Sequence, residues 1–70
     1  MERFGEKLRT LRKRQGLTLK QLAEKLDFES HSYLSAIEFG KKQPSVELIL
    51  NIAIMFDIST DDLLFDSRDI

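Results

Sequence analysis

His31 is the only histidine in the chain, and cysteine is absent. Thiolate nucleophiles, disulfides, iron–sulfur clusters and zinc fingers are therefore excluded within one chain. A Ser-His-Asp triad can be written on paper, but 70 residues leave little room for a cleft with three oriented groups. The remaining side chains suit polar contact with a large anion. His31, Ser32, Ser35 and Ala36 are short and stand at spacings that place them on the outward side of one helix. Imidazole and hydroxyl groups can bond to base edges or phosphates, and an alanine methyl can meet a thymine methyl. Lys41, Lys42 and Gln43 follow in a polar loop where charge can meet phosphate. The blander alternative is an ordinary hydrated surface, since exposed serines and loop lysines are common.

Net charge is −1, which by itself argues against a polyanion partner. Its distribution argues the other way. Residues 1–42 carry ten Lys/Arg against six Asp/Glu, a net +4, whereas residues 43–70 carry one Arg against six acids, a net −5. Such asymmetry lets a local basic face bind phosphates despite an acidic total; two solvated helix faces would give the same arithmetic.

Those side chains must be held by a small core. A chain of this size buries only about 60% of its unfolded surface, and one domain over residues 1–70 is expected. Composition favours helix, with 41% apolar and 33% charged residues, three Gly and one Pro. The longest apolar run, Ile52 to Phe56, is too short to cross a bilayer. Met1 to Arg14 is charged throughout, unlike a secretory leader, so a cytoplasmic protein without a membrane partner is expected.

Five short helical patterns follow one another. Phe4, Leu8 and Leu11 recur at helical spacing, and Gly16 stands where a C-terminal glycine would. Thr18 and Gln21 have capping-box spacing ahead of Leu19, Leu22, Ala23 and Leu26. Ser30 is placed to cap a third helix with Tyr33, Leu34 and Ile37 inward and Gly40 closing it. Ser45 caps a fourth, with Glu47 in its first turn. There Val46, Ile49, Leu50 and Ala53 form one apolar stripe, and Leu48, Ile52, Met55 and Phe56 a second. Ser59 and Asp62 repeat the cap spacing ahead of Leu63, Leu64 and Phe65. No segment alternates with period two. The fold class is all-α.

Two short helices joined by a tight turn, with a supporting helix on each side, form the arrangement of a helix-turn-helix, here at about residues 18–39. Ala23 is small enough for close approach, and Leu34 and Ile37 can pack back. Leu17 to Leu26, then Ser30 to Glu38, then Gly40 to Ser45 resemble the lambda-repressor-like (Cro/XRE) helix-turn-helix family. The strings Leu22-Ala23-Glu24-Lys25-Leu26 and Ile37-Glu38-Phe39-Gly40-Lys41-Lys42-Gln43-Pro44-Ser45 occur together at compatible spacing. Ile58 to Leu64 is similar to that family's last helix, so the resemblance covers residues 4–65. Three departures stand out. Asp27 replaces the usual turn glycine, the turn is one residue longer than the commonest version, and Leu19 replaces a phosphate-binding Gln.

The resemblance implies a compact five-helix DNA-binding domain that regulates transcription, expected to be a repressor, with no catalysis, cofactor or metal. It implies base reading by His31, Ser32, Ser35 and Ala36. Phosphate contact would fall to Arg12, Thr18, Ser30, Lys41, Lys42 and Gln43. Arg12 and Glu38 resemble a family pair, which either orients the Arg toward a phosphate or is purely structural. Expected partners are double-stranded DNA with two-fold symmetry and a second copy of the chain, meeting through Phe56, Ile58, Leu64 and Phe65; a regulatory protein partner is compatible. The rival is a protein–protein interaction module, or antitoxin-like partner, that keeps the fold without base readout. Its motivation is a reading face without Arg, Lys, Asn or Gln.

Overall fold

Phe4, Leu8 and Leu11 lie on one side of the first helix, and a computed structural model, which describes residues 1–70, buries all three. Helix α1 (Phe4–Arg14) is followed by α2 (Leu19–Lys25), α3 (Ser32–Glu38), α4 (Val46–Phe56) and α5 (Thr60–Leu64). There is no strand. Helix α1 packs on α3 and α5, α3 on α2, and α4 on α5. Between them lie Leu22, Ala23, Leu34, Ile37, Leu48, Ile49, Ile52, Ala53 and Leu63, all buried.

Three helices start as their cap residues require. The hydroxyls of Thr18, Ser45 and Ser59 accept the backbone N–H groups of Gln21, Leu48 and Asp62 at 3.1, 3.1 and 3.0 Å. Helix α3 corrects the sequence reading: it begins at Ser32, and His31 rather than Ser30 occupies the cap position without a side-chain cap bond. The Ser30 hydroxyl still accepts the N–H of Ser32 at 3.1 Å. The longer turn displaces the serine by one residue while leaving it a free helix-end donor to satisfy.

Four helices end in one way. Beyond α1 to α4 stand Gly16, Asp27, Gly40 and Asp57, all with positive φ. In each case the next residue's N–H reaches back five residues, as from Phe28 to Ala23 at 2.8 Å and from Lys41 to Ala36 at 2.8 Å. This is the Schellman arrangement, which satisfies carbonyls that a helix end leaves open. Asp27 thus adopts the left-handed conformation that a turn glycine would take more cheaply.

The stripes of α4 divide differently from the sequence pattern. Leu48, Ile49, Ile52 and Ala53 face the core, whereas Val46, Leu50 and Ile54 are exposed. Periodicity defines the faces of a helix, but only tertiary packing decides which are covered.

Helix α1 has no cap within its own sequence, since Arg3 offers no side-chain bond. Its start is held from the far end of the chain. The Asp66 carboxylate accepts the backbone N–H groups of Arg3 at 2.9 Å and Glu2 at 3.0 Å. The Arg3 N–H holds the Asp66 carboxyl below its usual 3.8 against the opposing effect of burial, with lesser help from the Glu2 N–H and the nearby amino terminus. A carboxyl whose pKa is lowered by folding stabilises the fold fully above its ordinary value and stops doing so as pH falls through the lower folded value. The thermal stability gap between the wild type and Asp66→Asn should therefore be widest at neutral pH and should narrow below pH of about 4. An equal gap at all pH values would assign the loss to something other than this carboxylate.

Candidate nucleic-acid interface

The helix-turn-helix runs from Thr18 to Phe39, and its entry is locked by a reciprocal pair of bonds. The Thr18 hydroxyl accepts the Gln21 N–H, and the Gln21 side-chain oxygen accepts the Thr18 N–H at 2.9 Å. Ala23 is buried where α2 meets α3, and Leu34 and Ile37 are buried beside it. In the connecting turn the ring of Phe28 meets that of Tyr33 edge to face, with centroids 5.8 Å apart.

This packing turns the outward side of α3 to solvent. His31 and Ser32 are exposed, and Ser35 and Ala36 are half-buried. The hydroxyls of Ser30 and Ser32 lie 2.9 Å apart. Lys41, Lys42 and Gln43 are exposed in the next loop. That loop is tied to α3 through Tyr33, whose hydroxyl accepts the Ser45 N–H at 3.2 Å. An inward tyrosine needs a partner for its polar end. That requirement was the available signal that Tyr33 does more than fill the core.

Arg12 stands apart from the other expected phosphate contacts. Its Nε and Nη2 donate to the two carboxylate oxygens of Glu38 at 2.8 and 3.1 Å, and its Nη1 donates to the Leu17 carbonyl at 2.9 Å. Every guanidinium nitrogen is engaged within the chain. The pair is largely screened from solvent, and the Glu38 bonds raise an already high guanidinium pKa. One side chain thus joins α1 to the residue before Thr18 and to the last turn of α3. Nη1 and Nη2 each keep a second hydrogen beyond these bonds, so both roles of Arg12 fit this geometry.

The free charges are distributed unevenly. Glu6, Asp69, Asp62 and Glu38 are paired with Arg3, Arg68 and Arg12, and Asp66 caps α1. By contrast, Arg9, Lys13, Lys20, Lys25, Lys41 and Lys42 are exposed and lie outside every ion pair of the fold. The acidic C-terminal part is therefore partly neutralised from within, while the cations of α1, α2 and the Lys41–Lys42 loop remain open to a polyanion.

The residues expected at a dimer contact do not form one free surface. Phe56, Ile58 and Leu64 pack against the chain's own core. Phe65 is 52% exposed, with the Arg68 guanidinium 5.7 Å from its ring centre. No group of side chains is arranged to hold a metal ion, and no helix is long and apolar enough to cross a membrane.

Comparison with known proteins gives a consistent result. The model of the helix-turn-helix family matches residues 8–63. The HTH-type transcriptional regulator YqaE of Bacillus subtilis is 36% identical over 61 residues, covering 87% of this chain and 52% of YqaE. The HTH-type transcriptional activator BcrR of Enterococcus faecalis is 41% identical over 61 residues, again 87% of this chain but 29% of BcrR. SinR of B. subtilis is 32% identical over 67 residues, 94% of this chain and 60% of SinR. The chain thus spans about half the length of YqaE and less of BcrR. No solved structure matches it. The shared length includes the capped entry at Thr18, the turn at Asp27 and the loop after α3, and the chain belongs to the lambda-repressor-like helix-turn-helix family.

Proposed function

We propose that this chain binds duplex DNA in a sequence-specific manner, as a homodimer on a two-fold operator, and regulates transcription by occupying that site. The observation that carries the reading is the exposed outer side of α3 beside cations free of internal ion pairs. His31, Ser32, Ser35 and Ala36 would read bases, while Thr18, Ser30, Lys41, Lys42 and Gln43 would meet phosphates. Arg12 and Glu38 would hold the frame. One recognition helix reads few base pairs, and two-fold symmetry doubles the site, with the helices about 34 Å apart. Repression would follow from occupancy alone; the activator named among the relatives makes a promoter assay the test of sign. No catalytic role, cofactor or metal enters this reading, and a regulator of this kind would work in the cytoplasm.

Lys41→Ala with Lys42→Ala should weaken binding to selected and random duplexes by similar factors, because phosphate contacts position without reading sequence. Each lost contact should reduce the salt slope by about one. Changes at His31 or Ser32 should instead alter preference among sites. Unchanged affinity in the lysine variant, or the parental motif recovered by the α3 variants, would remove those residues from the interface.

A second reading is an interaction module, favoured by the absence of long polar side chains among the four reading residues and by exposed Phe39, Val46 and Ile54. A regulatory protein would then be the main partner. Lack of measurable affinity for duplex DNA at low salt would select this reading.

A further inference from the structure

The outer face of α4 carries an apolar line that the fold leaves open. Val46 is 73% exposed, Leu50 49% and Ile54 78%. At about 100° per residue, positions four apart drift slowly round a helix, so these three side chains form one continuous stripe. Leu50 is its midpoint, with an apolar residue four positions away on either side. That spacing is self-complementary. If a second α4 lies antiparallel with a two-fold axis beside Leu50, each Leu50 meets its own copy and each Val46 meets the other chain's Ile54. A two-fold contact requires such a patch.

Charge follows the same symmetry. Lys25 shares a hollow with Asn51 and Ile54 on one flank of α4. Glu47 and Asn51 border the neighbouring hollow with Phe28 and Tyr33, so they occupy that same flank. Lys25 and Glu47 are exposed and belong to no ion pair within the chain. The antiparallel pairing sets Ile54 opposite the other chain's Val46, which brings Lys25 beside its Glu47. Symmetry makes the same pair twice. An axis perpendicular to α4 also keeps the Glu47 flank, and the helix-turn-helix beside it, on one side of the dimer.

We propose that the partner covering this stripe is a second copy of the chain, docked antiparallel along α4 with Leu50 on the two-fold axis and Lys25 opposite Glu47 at the rim. The proposal rests on the homodimer reading above and moves its contact from the C-terminal residues to α4. Three side chains and two rim pairs make a small interface, in the class below about 1,200 Å² where association is weak. The free protein therefore interconverts between monomer and dimer, and a two-fold operator shifts it to the dimer by mass action.

Sedimentation equilibrium of the full chain, from micromolar to submillimolar protein, tests the proposal. The wild type should dimerise, and Leu50→Asp should weaken self-association by about a hundredfold, since an exposed position tolerates the charge in the monomer but not in the contact. Lys25→Glu and Glu47→Lys should each weaken it by about threefold to tenfold, and the double reversal should recover it to within about twofold. Circular dichroism confirms folding, and Phe65→Asp serves as a control that should leave the dimer intact. A wild type that stays monomeric throughout, Leu50→Asp that dimerises like the wild type, or a double reversal as weak as the singles would overturn the proposal. Binding of Leu50→Asp to a single half-site should remain unchanged. Failure of that binding in the wild type would count against the DNA reading and leave the self-association result standing.

Discussion

Gly5→Ala should destabilise the protein by about 1 to 2 kcal/mol net, although the substitution ordinarily strengthens a helix. On propensity alone, Ala in place of Gly inside a helix gains about 1 kcal/mol. Here the sign reverses because α1 crosses α3 at this residue. A Cβ at Gly5 would fall on the backbone carbonyl oxygen of Ile37 and lie 3.0 Å from that of Glu38. Backbone at the end of α3 cannot swing aside as a flexible side chain would, so the helices must separate. Overpacking of this kind costs about 1 to 3 kcal/mol and sometimes more. The displaced element is the last turn of α3, which holds Glu38 against Arg12, so DNA affinity should fall with stability. Urea titration of the two proteins checks the sign, and a more stable Gly5→Ala would mean that the helices do not approach as closely as described.

Lys7→Met should lower stability by about 2 to 4 kcal/mol, a shift in Tm of about 10 to 20 °C for a domain of this size. Lys7 is 1% exposed, which for a charged residue demands full compensation. Its Nζ donates to the carbonyl oxygens of Asp62 at 2.6 Å and Phe65 at 2.7 Å. Those carbonyls belong to the end of α5, where the helix dipole and unsatisfied acceptors favour a cation. Methionine retains most of the aliphatic bulk, so the measured loss reports the polar contacts rather than a cavity. A variant within about 0.5 kcal/mol of wild type by differential scanning calorimetry, the range of an ordinary surface change, would show that the ammonium is not needed there.

These two residues also mark where sequence reading stops. Thr18, Ser45 and Ser59 were legible as helix starts because a cap bonds within three residues of itself. Gly16 and Gly40 were legible as stops for the same local reason. The chain separations that matter for Lys7 and Asp66 exceed fifty residues, and nothing in the local pattern of α1 announces either contact. Gly5 carried no such signal either, since a glycine inside a helical pattern shows only its lower helix propensity and not the backbone it approaches. At the candidate interface the outward side of α3 was legible because Leu34 and Ile37 define the inward one. The start of α3 was placed too early because a longer turn shifts a serine's bond without changing its appearance in sequence. The open side of α4 could not be read at all, because a helix apolar around most of its circumference does not say which stripe the core will cover.

The central claim is that the basic half of this chain reads duplex DNA, and salt dependence of binding tests it most directly. Affinity of the wild type would be measured for a duplex recovered by selection and for a random duplex, over a range of salt concentrations. The account predicts that log affinity falls linearly with log salt for both, with a slope of about −4 or steeper for two half-sites. It also predicts that the selected, two-fold duplex binds at least about a thousandfold more tightly at physiological salt. Binding that is undetectable at low salt, or equal for the two duplexes under all conditions, would contradict it.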